Sequence, residues 1–206
     1  MHLITSLLTL TAIATHVSGH GLVKSPAARV PGDAAAAVCG QTMVNFYKAD
    51  NTSYPEALIR AGGTKDPKYN PKLCNLWLCR GYQFQDNADH VFEYKPGDKV
   101  PIEVFIRVPH LGYANVSVVD TMKNEVVGEP LKAWKEYADP AKFPNLPEDQ
   151  VKFSVTVPDL MGKCAKPGRC VIQWYWLGAK QTYESCIDFT QMAPEAPQIR
   201  GRSWRL

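Results

Sequence analysis

His20 stands directly behind Val17-Ser18-Gly19, whose small residues at the minus-three and minus-one positions form the pattern at which a secretory leader is cut. A cut there makes a histidine the first residue of the mature chain and puts an α-amine and an imidazole on one residue. The amine has an ordinary pKa of about 7.7–8, so at neutral pH a metal ion competes well with the proton for its lone pair. The amine and Nδ1 of one histidine close a chelate ring on a metal. A second imidazole opposite them completes a planar, T-shaped set of three nitrogens. Tetragonal nitrogen ligation favours Cu(II), which also stands highest in the affinity order of the divalent ions.

The second imidazole must come from the remaining histidines. His2 and His16 depart with the leader, which leaves His90 and His110. His90, in DNADHVFEY, lies in a polar stretch and reads as a surface residue. His110, in RVPHLGYANVSVV, follows a strand that ends at Val108 and precedes the next one, at a rim. A lone loop histidine is ordinarily satisfied by backbone, but a partner at the N-terminus gives His110 a different use. A third element is AKQTYESCIDF, residues 179–189. In a strand Gln181, Tyr183, Ser185, Ile187 and Phe189 share one face. Alone, Tyr183 reads as a core tyrosine with a hydrogen-bonded hydroxyl; beside a metal, Gln181 and Tyr183 supply an amide donor and a phenol side by side.

The elements that must position these residues are written in the rest of the chain. At 206 residues it suits one domain with a real core. Its 23 Lys and Arg are spread among 20 Asp and Glu, for a net charge of +3. Without a basic stripe, nucleic acid and anionic membrane are not expected partners. The apolar run Leu3–Ala14 has the length of a leader core and is too short to span a bilayer. The expected organisation is a leader at 1–19, a metal-binding domain at 20–191 and a loose tail at 192–206. Secretion to the extracellular space agrees with six cysteines and with sequons at Asn51 and Asn115. Six cysteines allow 15 connectivities. Short local bridges favour Cys74–Cys79 and Cys164–Cys170, leaving Cys39 for Cys186.

Val100, Ile102, Val104, Ile106 and Val108 alternate with polar positions, as do Val151, Phe153, Val155 and Val157. Further strands are expected at 114–119, 169–176 and 183–189, with helices at Ala34–Tyr47 and Pro55–Ala61 inside a loop-rich stretch from Gly40 to Asn87. Short strands without long helices between them predict an all-β fold of antiparallel sheets, packed as a sandwich with long loops and short helices.

The ordered set of a leader followed by HG, then LCNLWLCRGYQFQDN, PHLGYANVSVVDT and QTYESCIDF, resembles the fungal lytic polysaccharide monooxygenases, most closely auxiliary activity family sixteen, over His20 to about Gln191. The resemblance implies an immunoglobulin-like β-sandwich with one copper ion, cycling between Cu(II) and Cu(I), in a histidine brace on a flat face. It implies an insoluble β-1,4-glucan as substrate, cellulose first, with chitin and hemicellulose as alternatives. An external electron donor, dioxygen or peroxide as cosubstrate, oxidation at the anomeric carbon and a monomeric state complete that expectation. Residue by residue, His20 and His110 match the brace, Tyr183 the axial tyrosine, and Gln181 the glutamine that hydrogen-bonds oxygen species at copper; Cys186 matches the cysteine of the same pattern. Tyr54, Tyr69, Trp77 and Tyr82 are candidates for the glucan face. Competing readings are a copper-binding accessory oxidase that makes hydrogen peroxide and a non-enzymatic copper- or chitin-binding protein. One related group of copper-binding proteins uses an aspartate near the metal, and Tyr183 argues against it. A glycoside hydrolase would need two carboxylates that the sequence does not single out.

Overall fold

The computed structural model describes residues 20–192. The leader at 1–19, and the expected tail apart from Met192, lie outside the described residues. Two sheets face each other. The smaller has the order β1 (His20–Ser25), β3 (Lys99–Val108), β7 (Lys152–Thr156), all antiparallel. The larger runs β2 (Phe92–Glu93), β9 (Gln181–Thr190), β8 (Cys170–Gly178), β4 (Gly112–Asp120), β5 (Glu125–Val126), with β6 (Lys132–Tyr137) also on β4. This is the expected sandwich.

The alternation in β3 explains its place. Val100, Ile102, Val104 and Ile106 turn inward and are buried, while Lys99, Pro101, Phe105 and Arg107 are exposed. They meet Val116, Val118, Ile172, Trp174 and Ile187 from the larger sheet in one core. Burying a large apolar side chain contributes about 1.5–3 kcal/mol, so a half-apolar strand is held only when a second sheet covers it. β1 and β6 were not expected from the sequence. β1 is too short and interrupted to show a period: only Gly21 and Val23 are buried along it.

β9 is buried on both faces, unlike β3. Its odd positions face the core between the sheets. Its even positions meet the segment 26–91, which folds over the outside of the larger sheet around its own core of Cys39, Met43, Tyr47, Leu58, Cys74 and Tyr82. Thr182 donates its amide and hydroxyl to Glu56 at 3.1 and 2.8 Å. Glu184 accepts the Arg80 amide at 3.0 Å. Cys186 is bonded to Cys79. Asp188 takes two bonds from the Arg29 guanidinium, both 2.7 Å.

That segment corrects two expectations. The helix expected over Ala34–Tyr47 is two helices, α1 (Asp33–Cys39) and α2 (Gln41–Ala49), broken at Gly40, whose φ of 87° no helix accommodates. The helix α3 (Pro55–Arg60) is where it was expected, and a short α4 (Glu148–Val151) precedes β7. The disulfides are Cys39–Cys74, Cys79–Cys186 and Cys164–Cys170. The last was expected and the other two were not. Chain proximity is a poor guide here: Cys74 belongs to the small core of the segment, whereas Cys79 docks on β9 beside Leu78, Val119 and Val171. Among the described residues no helix is long and apolar enough to cross a membrane.

Candidate metal centre

His20 opens β1 and pairs with Val108 at the end of β3. His110 follows two residues later, in the three-residue connection to β4. Both histidines therefore stand at one end of the sandwich. His110 is pressed against the β8–β9 hairpin: a Cβ on Gly178 would lie 2.8 Å from the His110 carbonyl oxygen and 3.1 Å from its Cβ. Gly112 is equally constrained, since a Cβ there would sit 1.9 Å from the Leu177 oxygen. Only glycine lets these backbones approach so closely.

The hairpin turn is Ala179-Lys180, with φ of 51° and 63°. Two left-handed residues make the turn whose twist matches the flanking strands, yet neither is glycine, a conformation that costs about 1–2 kcal/mol per residue. The β8–β9 ladder on either side of the exposed turn holds it. The register it sets pairs Gly178 with Gln181 and Trp176 with Tyr183. Trp176 and Tyr183 stack with centroids 4.3 Å apart. On its other side Tyr183 meets Tyr54 at 5.3 Å, and Tyr54 meets the His20 ring edge-on at 6.3 Å. The Tyr183 hydroxyl donates to Gln181 Oε1 at 2.5 Å, which turns the donor end of the Gln181 amide away from the phenol. Burial, then the nearby Tyr54 and Glu56, push the Tyr183 hydroxyl far above its ordinary pKa, so it stays a neutral phenol.

The structure thus brings His20, His110, Gln181 and Tyr183 to one end. It places His90 elsewhere: His90 is exposed and precedes β2, which pairs with Phe189 eight residues along β9 from Gln181, about 26 Å away. Of the aromatics suggested for a glucan face, Tyr54 and Tyr82 are buried and cannot meet a solid surface. Tyr69 is half-buried and packs on the small core, and Trp77 is exposed. Leu111 and Tyr113, at the His110 rim, are exposed apolar residues the sequence reading passed over. A cavity of about 380 Å³ lined by Arg29, Lys72, Tyr82 and Lys123 includes none of the four site residues.

Asp50 is a further candidate that no motif in the sequence marks. Its Oδ2 lies 3.0 Å from His20 Nε2. Burial alone would raise its carboxyl, but hydrogen bonds from the Thr52 hydroxyl and amide and from Arg107, together with the His20 ring, hold it below the usual carboxylate range. Asp50-Asn51-Thr52 is legible as a turn in which a side chain caps its own backbone; nothing in it points to a histidine thirty residues earlier.

Among the described residues no group of three or more His, Cys, Asp or Glu could hold a metal. Two imidazoles that held a metal would need a further donor, and the α-amine of a mature chain beginning at His20 would chelate together with His20 Nδ1. That donor set fits Cu(II).

A family model described as lytic polysaccharide mono-oxygenase, cellulose-degrading, matches residues 20–189. Among solved structures, a chitin binding domain from Burkholderia pseudomallei is 12% identical with a TM-score of 0.44, covering 84% of this chain and 99% of that one. The cellulose-active monooxygenase CelS2 in complex with copper is 14% identical with a TM-score of 0.41, covering 85% of this chain and 100% of that one. A search of curated proteins finds no match.

Proposed function

We propose that this chain, which belongs to the lytic polysaccharide mono-oxygenase family, is a secreted copper-dependent enzyme that cleaves β-1,4-glucan oxidatively, cellulose first, with oxidation at the anomeric carbon. The observation that carries the reading is the meeting of His20, His110 and the Gln181–Tyr183 pair at one end of the sandwich. The family match begins at His20, which supports a mature chain that starts there. Three disulfides suit an oxidising compartment. The finer kinship with fungal auxiliary activity family sixteen rests on the ordered motifs.

His20, through its amine and Nδ1, and His110 would hold copper, with the Tyr183 phenol as a further, weak donor. Copper when bound supplies one-electron redox chemistry, so that an external donor and dioxygen or peroxide hydroxylate the carbon beside the glycosidic bond, which then breaks by elimination. The residues around it do simpler things. Tyr183, kept neutral by burial, would offer copper a weak phenol oxygen and not a phenolate. Its hydroxyl fixes the Gln181 carbonyl, so the amide hydrogens would be the end of that side chain offered to an oxygen on which negative charge develops. The stack of Trp176, Tyr183 and Tyr54 keeps water from beneath the site.

The test is mass spectrometry of soluble products from cellulose and, in parallel, chitin, with a reductant present. Oxidised oligosaccharides are expected from cellulose. Gln181→Ala should bind copper normally and lose about 100- to 1,000-fold in turnover, whereas His110→Ala should lose copper and activity together. Copper binding with steady peroxide production and no oxidised sugar would overturn the reading in favour of an oxidase.

A further inference from the structure

The 50–53 turn is fixed from three directions. Thr52 gives Asp50 Oδ1 its amide at 3.0 Å and its hydroxyl at 2.6 Å. Arg107 Nη2 donates to Oδ2 at 2.7 Å. Behind the turn, the buried Arg80 guanidinium donates to the carbonyls of Asn51 and Ser53 at 2.6 and 3.2 Å, and the Gly21 amide donates to the Thr52 carbonyl at 3.1 Å, joining the turn to β1. What this framework presents to the His20 ring is one carboxylate oxygen, 3.0 Å from Nε2.

We propose that Asp50 is a positioning residue that sets the tautomer and the torsion of the His20 ring, a reading that rests on the copper site proposed above. A carboxylate only accepts, and a neutral imidazole carries a single N–H. Facing Asp50, that hydrogen must sit on Nε2, and the lone pair is left on Nδ1. Nδ1 is the nitrogen bonded to Cγ, so it alone can close a ring with the α-amine of the same residue. Nε2 points to the far edge and cannot. Asp50 therefore stands behind the ring as an outer partner, and its rigid mooring is what outer partners of metal-bound histidines need in order to fix ring orientation. Arg107 shares Oδ2 with His20 and keeps the carboxylate from rotating away.

Asp50→Asn separates this role from a structural one. The asparagine that keeps Oδ1 on both Thr52 donors keeps the turn, but it gives up the Arg107 bond and places an NH2 donor where Oδ2 was. His20 Nε2 must then accept, and the ring hydrogen moves to Nδ1. Nitrogen NMR of the metal-free protein beginning at His20, at a pH where the ring is neutral, should show hydrogen on Nε2 in the parent and on Nδ1 in Asp50→Asn. Competition with a chromogenic chelator should show Cu(II) affinity falling about 10- to 100-fold in the variant. An Nε2 hydrogen and an unchanged affinity in a folded Asp50→Asn would overturn the proposal. So would hydrogen on Nδ1 in the parent, a result that needs no variant to fold. A parent that binds no copper, with the tautomer still switching in Asp50→Asn, would overturn the copper reading while supporting the assignment of Asp50.

Discussion

The two faces of β9 are built on different principles. The odd face, Gln181 to Phe189, joins the sandwich core through close packing and carries the phenol and amide of the site. The even face holds the outer segment by four discrete links, to Glu56, Arg80, Cys79 and Arg29. Packing on one side defines where the strand lies; links on the other decide what is laid over it. The segment so attached is the one that delivers Asp50 to His20. A strand that looks uniformly buried therefore divides its labour by residue parity.

On that division, breaking even-face links should cost stability while copper affinity is kept, and odd-face changes near the site should cost little stability and act on the chemistry of the site instead. The largest effect is expected from replacing Cys79 and Cys186 together by serine. The 107-residue separation they close corresponds to about 5 kcal/mol in the chain-entropy treatment, to be read from urea unfolding. Next, Asp188→Ala strands the buried Arg29 charge and should cost about 3–5 kcal/mol. Replacing both partners by apolar residues should recover most of it in the same measurement.

A third effect depends on pH. Burial pushes the Glu184 carboxyl up to about 7, against the opposing Arg80 amide and charge, with Glu56 adding to the rise. The folded chain keeps this proton to near pH 7, whereas the unfolded chain releases it around its ordinary 4.5. The contribution is thus complete below pH 4.5 and is lost as pH rises through 7, a change of roughly 3 kcal/mol. Unfolding free energies of the parent should decline over that window relative to Glu184→Gln. The smallest effect belongs to the odd face. Tyr183→Phe removes one hydrogen bond and should cost about 1 kcal/mol of stability, while copper titration gives nearly the parent affinity and the electron paramagnetic spectrum shifts modestly. Even-face variants that weakened copper binding as much as they weakened the fold would erase the distinction between the faces.

Legibility followed the same line. β3, β4, β7, β8 and β9 could be read because residues two apart share a chemical character, and the placement of Gln181 and Tyr183 on one face came with that period. The partners of the even face could not. Thr182, Glu184 and Asp188 look like solvent-facing positions, and only the fold reveals that each meets a residue about 100 or more positions earlier. Two of the three disulfides failed for the same reason, since spacing alone does not say which layer a cysteine joins, whereas Cys164–Cys170 closes within one turn and was legible. Asp50 was invisible because its significance lies in the 3.0 Å to His20 Nε2, not in its neighbours. Tyr54 showed the opposite failure: an aromatic in a loop looked available for a surface, but it is packed between His20 and Tyr183.

The pairing of Cys79 with Cys186 also sets an order in time. Synthesis at about 5–20 residues per second leaves Cys79 waiting roughly 5–20 seconds for a partner, long after Cys39 and Cys74, 35 residues apart, can meet. Early closure of that first bridge removes the two nearest wrong partners before the right one exists. Tyr183 and Gln181 emerge in the same final stretch as Cys186. The nascent chain therefore carries His20 from early on yet lacks Gln181 and Tyr183 until β9 arrives, so the candidate site is completed last, after the layers that enclose it.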